Sequence, residues 1–277
     1  MLTTDLSQRF AAAVARPDAA IDLAQSALLI AATEYPALEP RTYLDRLDGM
    51  AAELGPRIAS AGRLLGQIEC VNRYLFDDLG FHGNRDDYYD ARNSYLNDVL
   101  DRRTGLPITL SVVYLEVGRR AGIQVEGIGM PAHFLVRVGP ASQARYVDPF
   151  EAGALLDRAG CIQKLSELSA GQIEFRPEFL RPIGSRAILD RMLNNLKAIF
   201  SNRQEHRRTL EMIDLQLLLR SEDPTLVSDR ALALQQLGRY GEAQTCWRAL
   251  LQRAEPQARK HIEERLEALK RLQIQCN

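Results

Sequence analysis

A long apolar stretch begins at Pro107 and runs to Val117. Ile108, Leu110, Val112, Val113, Tyr114, Leu115 and Val117 cover nearly the whole circumference of a helix, and a helix that is apolar all round is a buried one. The β-branched residues make a buried strand the competing reading. The length of the run, and Arg119-Arg120 ahead of Gly122, favour a helix, because cations and a glycine suit a helix C-terminus. The pattern therefore predicts a central helix over residues 107–121, opened by Pro107, whose missing N–H costs nothing at a first helical position. The pattern then changes period. Residues 124–130, 133–138 and 145–147 read as three short strands, and the alternation is clearest where His133, Leu135 and Arg137 interleave with Phe134, Val136 and Val138. Gly139-Pro140-Ala141-Ser142-Gln143-Ala144 supplies turn chemistry between the last two.

The flanks are helical. Leu23, Ala24, Ala27 and Leu28 form one apolar face and Leu44, Leu47 and Met50 another, with Pro36 and Pro40 between them, so residues 1–67 predict three or four helices packed on the core. Residues 68–175 read as that core. Paired prolines at Arg176-Pro177 and Arg181-Pro182 close it, and residues 185–277 read as helices without strands. Residues 224–256 fit the tetratricopeptide pattern: Ala231 and Ala243 are the small residues, Gly238 and Tyr240 form the turn, Trp247 is the large residue and Pro256 the terminator. Residues 190–223 read as a degraded repeat before it, and His261–Leu272 as a capping helix.

Candidate chemistry changes this picture at one place. A hairpin centred between Pro140 and Ala141 sets His133 directly opposite Asp148, on one face, with Cβ atoms roughly 5 Å apart. A carboxylate so placed holds an imidazole in one tautomer, which is two thirds of a nucleophilic triad. The nearby hydroxyls are Thr109 and Ser111 at the start of the central helix, and a hydroxyl needs a well-placed base to act as a nucleophile. Upstream, Phe81 to Asp90 form a polar loop with aromatics. There Asn84, Asp87 and Tyr88 are candidate binding residues, as is Asn93 beyond it; Asn93 reads equally as a helix cap. His82, Asp86, Asp87 and Asp90 lack the spacing of a metal set, and no metal or cofactor is expected.

The segments GFHGNRDDYYD at 80–90, NSYLNDVLDRRTGLPITLSVVYLEV at 93–117, GIGMPAHFLVRV at 127–138 and YVDPF at 146–150 resemble the transglutaminase-like (papain-like) core. They are most similar to bacterial proteins with such a core followed by tetratricopeptide repeats, the B-type invasion-gene regulator (Sir) proteins; a related core occurs in a eukaryotic F-box protein. The resemblance implies an α+β, mostly helical fold. A small antiparallel sheet belongs to the core, helices precede it and a repeat region follows. It also implies a cysteine nucleophile at the N-terminus of the central helix, where this chain has Pro107-Ile108-Thr109. Two further departures are Ala91 in place of proline and Ala132 in place of glycine.

Composition narrows the partners. A formal net charge of −1 gives no field for nucleic acid or an anionic membrane. No apolar run is long enough to span a bilayer and no leader pattern is present, while Cys70, Cys161, Cys246 and Cys276 are unpatterned, as expected of reduced thiols in a cytoplasm. Two functions follow as expectations. One is a regulatory or protein-interaction protein, a pseudoenzyme that binds another protein through the core cleft or the repeat-like helices. The other is an acyltransferase, deamidase or amide hydrolase in which Thr109 or Ser111 attacks, His133 is the base and Asp148 orients it.

Overall fold

The computed structural model describes residues 2–275, with side chains through Leu272; Cys276 lies outside the described residues. The chain is 66% helical, with a small antiparallel sheet. It divides into two compact units, one of Ala13–Met192 and the other of Met1–Ala12 with Leu193–Asn277.

After α1 (Thr4–Val14), the first unit contains α2 (Leu23–Ala31), α3 (Pro40–Ala61) and α4 (Leu64–Asn72). Asp22 caps α2 by accepting from Gln25 N at 2.9 Å, and Pro40 opens α3. α4 changes winding at its end, passing into a π-helical turn over Arg73–Asp78 that buries Tyr74 and Leu75. A two-residue parallel pair, β1 (His82–Gly83) and β2 (Thr104–Gly105), brackets α5 (Leu96–Arg102). The central helix α6 (Pro107–Arg120) follows, and every residue from Pro107 to Gly118 is buried, as its all-round apolarity requires.

The sheet packs on α6. Strands β3 (Val125–Ile128), β4 (Leu135–Val138), β5 (Arg145–Asp148), β6 (Ala154–Leu156) and β7 (Pro182–Ile183) lie in the order β6-β5-β4-β3-β7, all antiparallel. Helix α7 (Arg158–Leu168) sits between β6 and β7 in sequence, and its Cys161 and Leu165 pack with Ile128, Met130 and Leu135.

Two expectations about the hairpin need correction. His133 does not begin a strand; β4 starts at Leu135. Its N–H instead donates to Met130 O at 3.2 Å, closing a turn in which Pro131 is second and Ala132 third, with φ +60°. That is the type II pattern, whose third position favours glycine. Ala132→Gly is expected to stabilise the fold by up to about 1 kcal/mol by removing the Cβ penalty of a left-handed residue; an unchanged or lower melting temperature would count against it. The register is also shifted. Val136 pairs with Val147, Arg137 with Tyr146 and Val138 with Arg145, so the ladder sets Asp148 across from Leu135 rather than His133. The shift is two residues, which preserves the face each side chain occupies.

Helix α8 (Ser185–Asn202) leads into the second unit, followed by α9 (His206–Leu219), α10 (Pro224–Gln236), α11 (Tyr240–Arg253) and α12 (Pro256–Gln275). Ala231 and Ala243 are fully buried, Trp247 is 4% exposed, and Gly238 turns between α10 and α11 with φ +71°. Pro256 does not terminate the array. It opens α12, which starts ahead of His261, because proline fits a first helical position.

Candidate functional site

The end of β5 and the turn before β4 bring two polar side chains into the core. His133 is 5% exposed and Asp148 is fully buried. His133 Nε2 donates to Asp148 Oδ2 at 2.8 Å. A carboxylate only accepts, so the bond fixes the proton on Nε2 and leaves the lone pair of the neutral ring on Nδ1. The pair forms despite the register shift because the turn over Met130–His133 delivers the imidazole to the end of β5.

Asp148 is fully engaged. Its Oδ1 accepts from Phe150 N at 3.1 Å, capping a 3₁₀ turn over Pro149–Glu151. Its Oδ2 also meets Lys164 Nζ at 2.9 Å. Burial alone would raise the carboxyl pKa, but His133 and Lys164 outweigh it and hold it below the usual range. Lys164, on α7, also donates to Glu151 Oε1 at 3.1 Å, and Arg85 pairs with Glu151 from the other side. The Asp148 charge is thus shared between an imidazole and an ammonium.

Phe150 walls the pair. Its ring is edge-on to His133 at 6.4 Å and to Tyr88 at 6.1 Å, and Arg85 lies 5.4 Å over it. A Cβ on Gly83 would come within 2.6 Å of the Phe150 ring, so glycine at β1 is what lets the ring seat there.

The candidate hydroxyls are committed elsewhere. Thr109 is fully buried; its Oγ1 accepts from Leu106 N at 2.9 Å and donates to Asn93 O at 2.7 Å. Ser111, also fully buried, donates back along the helix to Pro107 O at 2.7 Å. Among the described residues neither hydroxyl hydrogen-bonds His133, whose bonded ring atom is Nε2.

The loop residues organise one another. Asn84 Nδ2 donates to Asn93 Oδ1 at 3.0 Å, and Asn84 Oδ1 accepts from Asp87 N at 3.0 Å. Asn93 is fully buried, and its Nδ2 donates to Asp87 O at 2.8 Å and Tyr88 O at 3.3 Å. It caps no helix: α5 starts at Leu96, with Tyr95 as its cap residue. The Asp87 side chain is exposed and Tyr88 is 38% exposed. The other polar residues of the loop diverge. His82 is bonded to Gly80 O and Thr104 Oγ1, and Asp90 pairs with Arg92 and Arg102. Among the described residues no group of three or more His, Cys, Asp or Glu could hold a metal ion.

Cys70, Cys161 and Cys246 are free thiols. Cys161 lies near Asp148, and burial, reinforced by Asp157 and Asp148, pushes its thiol up to about 12, which makes it a poor nucleophile. Sequence reasoning missed Lys164, Phe150 and Arg191, whose Nη2 donates to His133 O at 3.0 Å. Phe150 follows the Asp-Pro step directly and was within reach; the other two arrive on separate helices.

Residues 41–194 match the model of the transglutaminase-like superfamily, and residues 196–268 match a tetratricopeptide-repeat model. A UPF0162 protein of Xylella fastidiosa strain 9a5c is 37% identical over 224 residues, covering 80% of each chain. The UPF0162 protein of Vibrio cholerae is 28% identical over 172 residues, covering 62% of this chain and 63% of its own. F-box only protein 21 of Mus musculus is 30% identical over 190 residues, covering 65% of this chain and 29% of its own. No solved structure matches. Among the described residues no helix is long and apolar enough to cross a membrane. The chain is a member of the UPF0162 family, with a transglutaminase-like domain followed by tetratricopeptide repeats.

Proposed function

We propose that this protein is a cytoplasmic regulatory or protein-interaction protein whose core keeps a His–Asp pair without a nucleophile to serve. Residues 68–175 carry the core, residues 1–67 are its N-terminal helical segment, and residues 185–277 present helices to a partner protein. The observation that carries the reading is the commitment of both helix-start hydroxyls: Thr109 donates to Asn93 O and Ser111 to Pro107 O, each from a fully buried side chain. A nucleophile has to share its proton with the base, and these two share theirs with the backbone. Tetratricopeptide repeats generally mediate protein–protein contacts, which supports the interaction half of the proposal.

The test is ammonia release from glutamine peptides and hydrolysis of activated esters by wild type, Thr109→Val and Ser111→Ala. No turnover above background is expected from any of them. A wild-type rate abolished by one hydroxyl substitution would replace this proposal with the hydrolase or acyl-transfer reading. The same variants carry a stability prediction. Thr109→Val removes the hydroxyl that bridges Leu106 N and Asn93 O, leaving them only their 3.3 Å bond to each other, and should cost about 1–2 kcal/mol, whereas Ser111→Ala loses only a back-bond and should cost under about 1 kcal/mol. Thermal melts followed by circular dichroism check the order.

A further inference from the structure

Arg191, near the start of α8, is a partly buried guanidinium with spare hydrogen-bonding capacity. Its Nη2 donates to Met130 O at 3.1 Å and to His133 O at 3.0 Å, and its plane lies 5.5 Å over Phe134. A guanidinium carries five N–H donors, and these two bonds use only one nitrogen. Among the described residues Nε and Nη1 have no hydrogen-bond partner and no carboxylate pairs with the group. Three other partly buried cations of this unit do have carboxylate partners: Lys164 has Asp148 and Glu151, Arg120 has Asp48 and Glu116, and Arg137 has Glu126. Burial lowers the Arg191 pKa, and the nearby Tyr88 phenol is the one group acting against that.

Tyr88 is the second half of the observation. It stands beside the same His133 turn that Arg191 holds through His133 O, one aromatic ring away, and among the described residues its hydroxyl has no hydrogen-bond partner. Its ring meets Phe150, which meets His133. Unused N–H and O–H donors therefore stand beside the His133 turn. Arg85 and Lys164 pair with Glu151 and Asp148, whereas Arg191 pairs with no carboxylate among the described residues.

We propose that Arg191 and Tyr88 form a receptor for a ligand carboxylate beside His133, taken by the unused N–H groups of the guanidinium and the phenolic O–H. A single guanidinium without a carboxylate partner suits a monoanion. A phosphate dianion would leave net negative charge near Asp148 and Glu151, where repulsion disfavours it. The site concerns a chemical group rather than a reaction, so it stands whether or not the core is an enzyme.

The experiment is an NMR titration of the full chain, with arginine Nε–H and histidine ring signals observed. The probes are N-acetylglycine, its amide and inorganic phosphate, at constant chloride-based ionic strength. Saturable shifts of Arg191 Nε–H and of the His133 ring are expected with the acid and not with the amide. Tyr88→Phe should weaken the acid about three- to tenfold, the effect of one hydrogen bond. Arg191→Gln should weaken it by at least about tenfold. Equal response to acid and amide, tighter binding of phosphate, no response to the acid, or an unweakened Tyr88→Phe would each overturn the proposal. Because Arg191→Gln also releases two backbone carbonyls, the wild-type and Tyr88→Phe titrations decide the matter if that variant does not fold.

Discussion

Asp148→Ala should destabilise the first unit by about 3–5 kcal/mol, the cost of removing one partner from a buried ion pair. Three donors lose their acceptor together: His133 Nε2, Lys164 Nζ and Phe150 N. Lys164 keeps Glu151, but the imidazole is left almost fully buried with no acceptor for its proton. The effect depends on pH in a defined direction. Asp148 titrates below its unfolded value, so its stabilisation is fully present above about pH 4 and is lost as pH falls through the lower, folded value. Urea unfolding of wild type and Asp148→Ala should therefore give curves far apart at pH 7 that converge in acid. A gap that persists unchanged at pH 3 would mean that the loss came from packing and not from the charge. Adding Lys164→Met to Asp148→Ala should recover part of the loss, since it removes an ammonium that no longer has its buried counter-ion.

Phe134→Ala should cost about 3–5 kcal/mol, as for other aromatic truncations in a core. Phe134 is 1% exposed. Its ring lies where a Cβ on Gly127 would come within 3.0 Å, so the sheet is shaped around it. Truncation leaves a cavity and also removes the surface on which the Arg191 guanidinium rests. The clamp from Arg191 to Met130 O and His133 O should loosen with it. Denaturant unfolding measures the first effect. Amide exchange measures the second: the His133 N–H that closes the turn on Met130 should exchange faster, relative to the β4 amides, than in wild type. Equal acceleration everywhere would leave only the packing loss.

The parts legible in the sequence are those governed by short-range periodicity. The all-round apolarity of Ile108 to Val117 requires burial, and α6 is buried from Pro107 to Gly118. His133 and Asp148 do meet, at 2.8 Å, but His133 reaches Asp148 from the turn before β4 and not from a strand position. The register itself was not legible, because Pro131 and Ala132 form a turn that withdraws His133 from β4. Residue type revealed hydroxyls at Thr109 and Ser111 but not the direction of their protons, which a helix start and an i−4 carbonyl decide. Lys164 and Arg191 were hidden for another reason. Each reaches the site from a helix whose own pattern reads as a solvated or packing face, and no local rule says which of its polar positions turns inward.

Trp247 has a use beyond packing. It is the chain's single tryptophan, 4% exposed and part of the buried cluster of the second unit that includes Ala231, Ala243 and Leu266. Tyr240 excepted, the nine tyrosines lie in the first unit. Excitation selective for indole therefore reports on the repeat helices, and near-ultraviolet tyrosine dichroism reports mainly on the transglutaminase-like unit. The wild-type chain carries two natural optical probes, one for each half, and a single denaturation followed at both wavelengths measures whether the halves unfold as one cooperative system or as two.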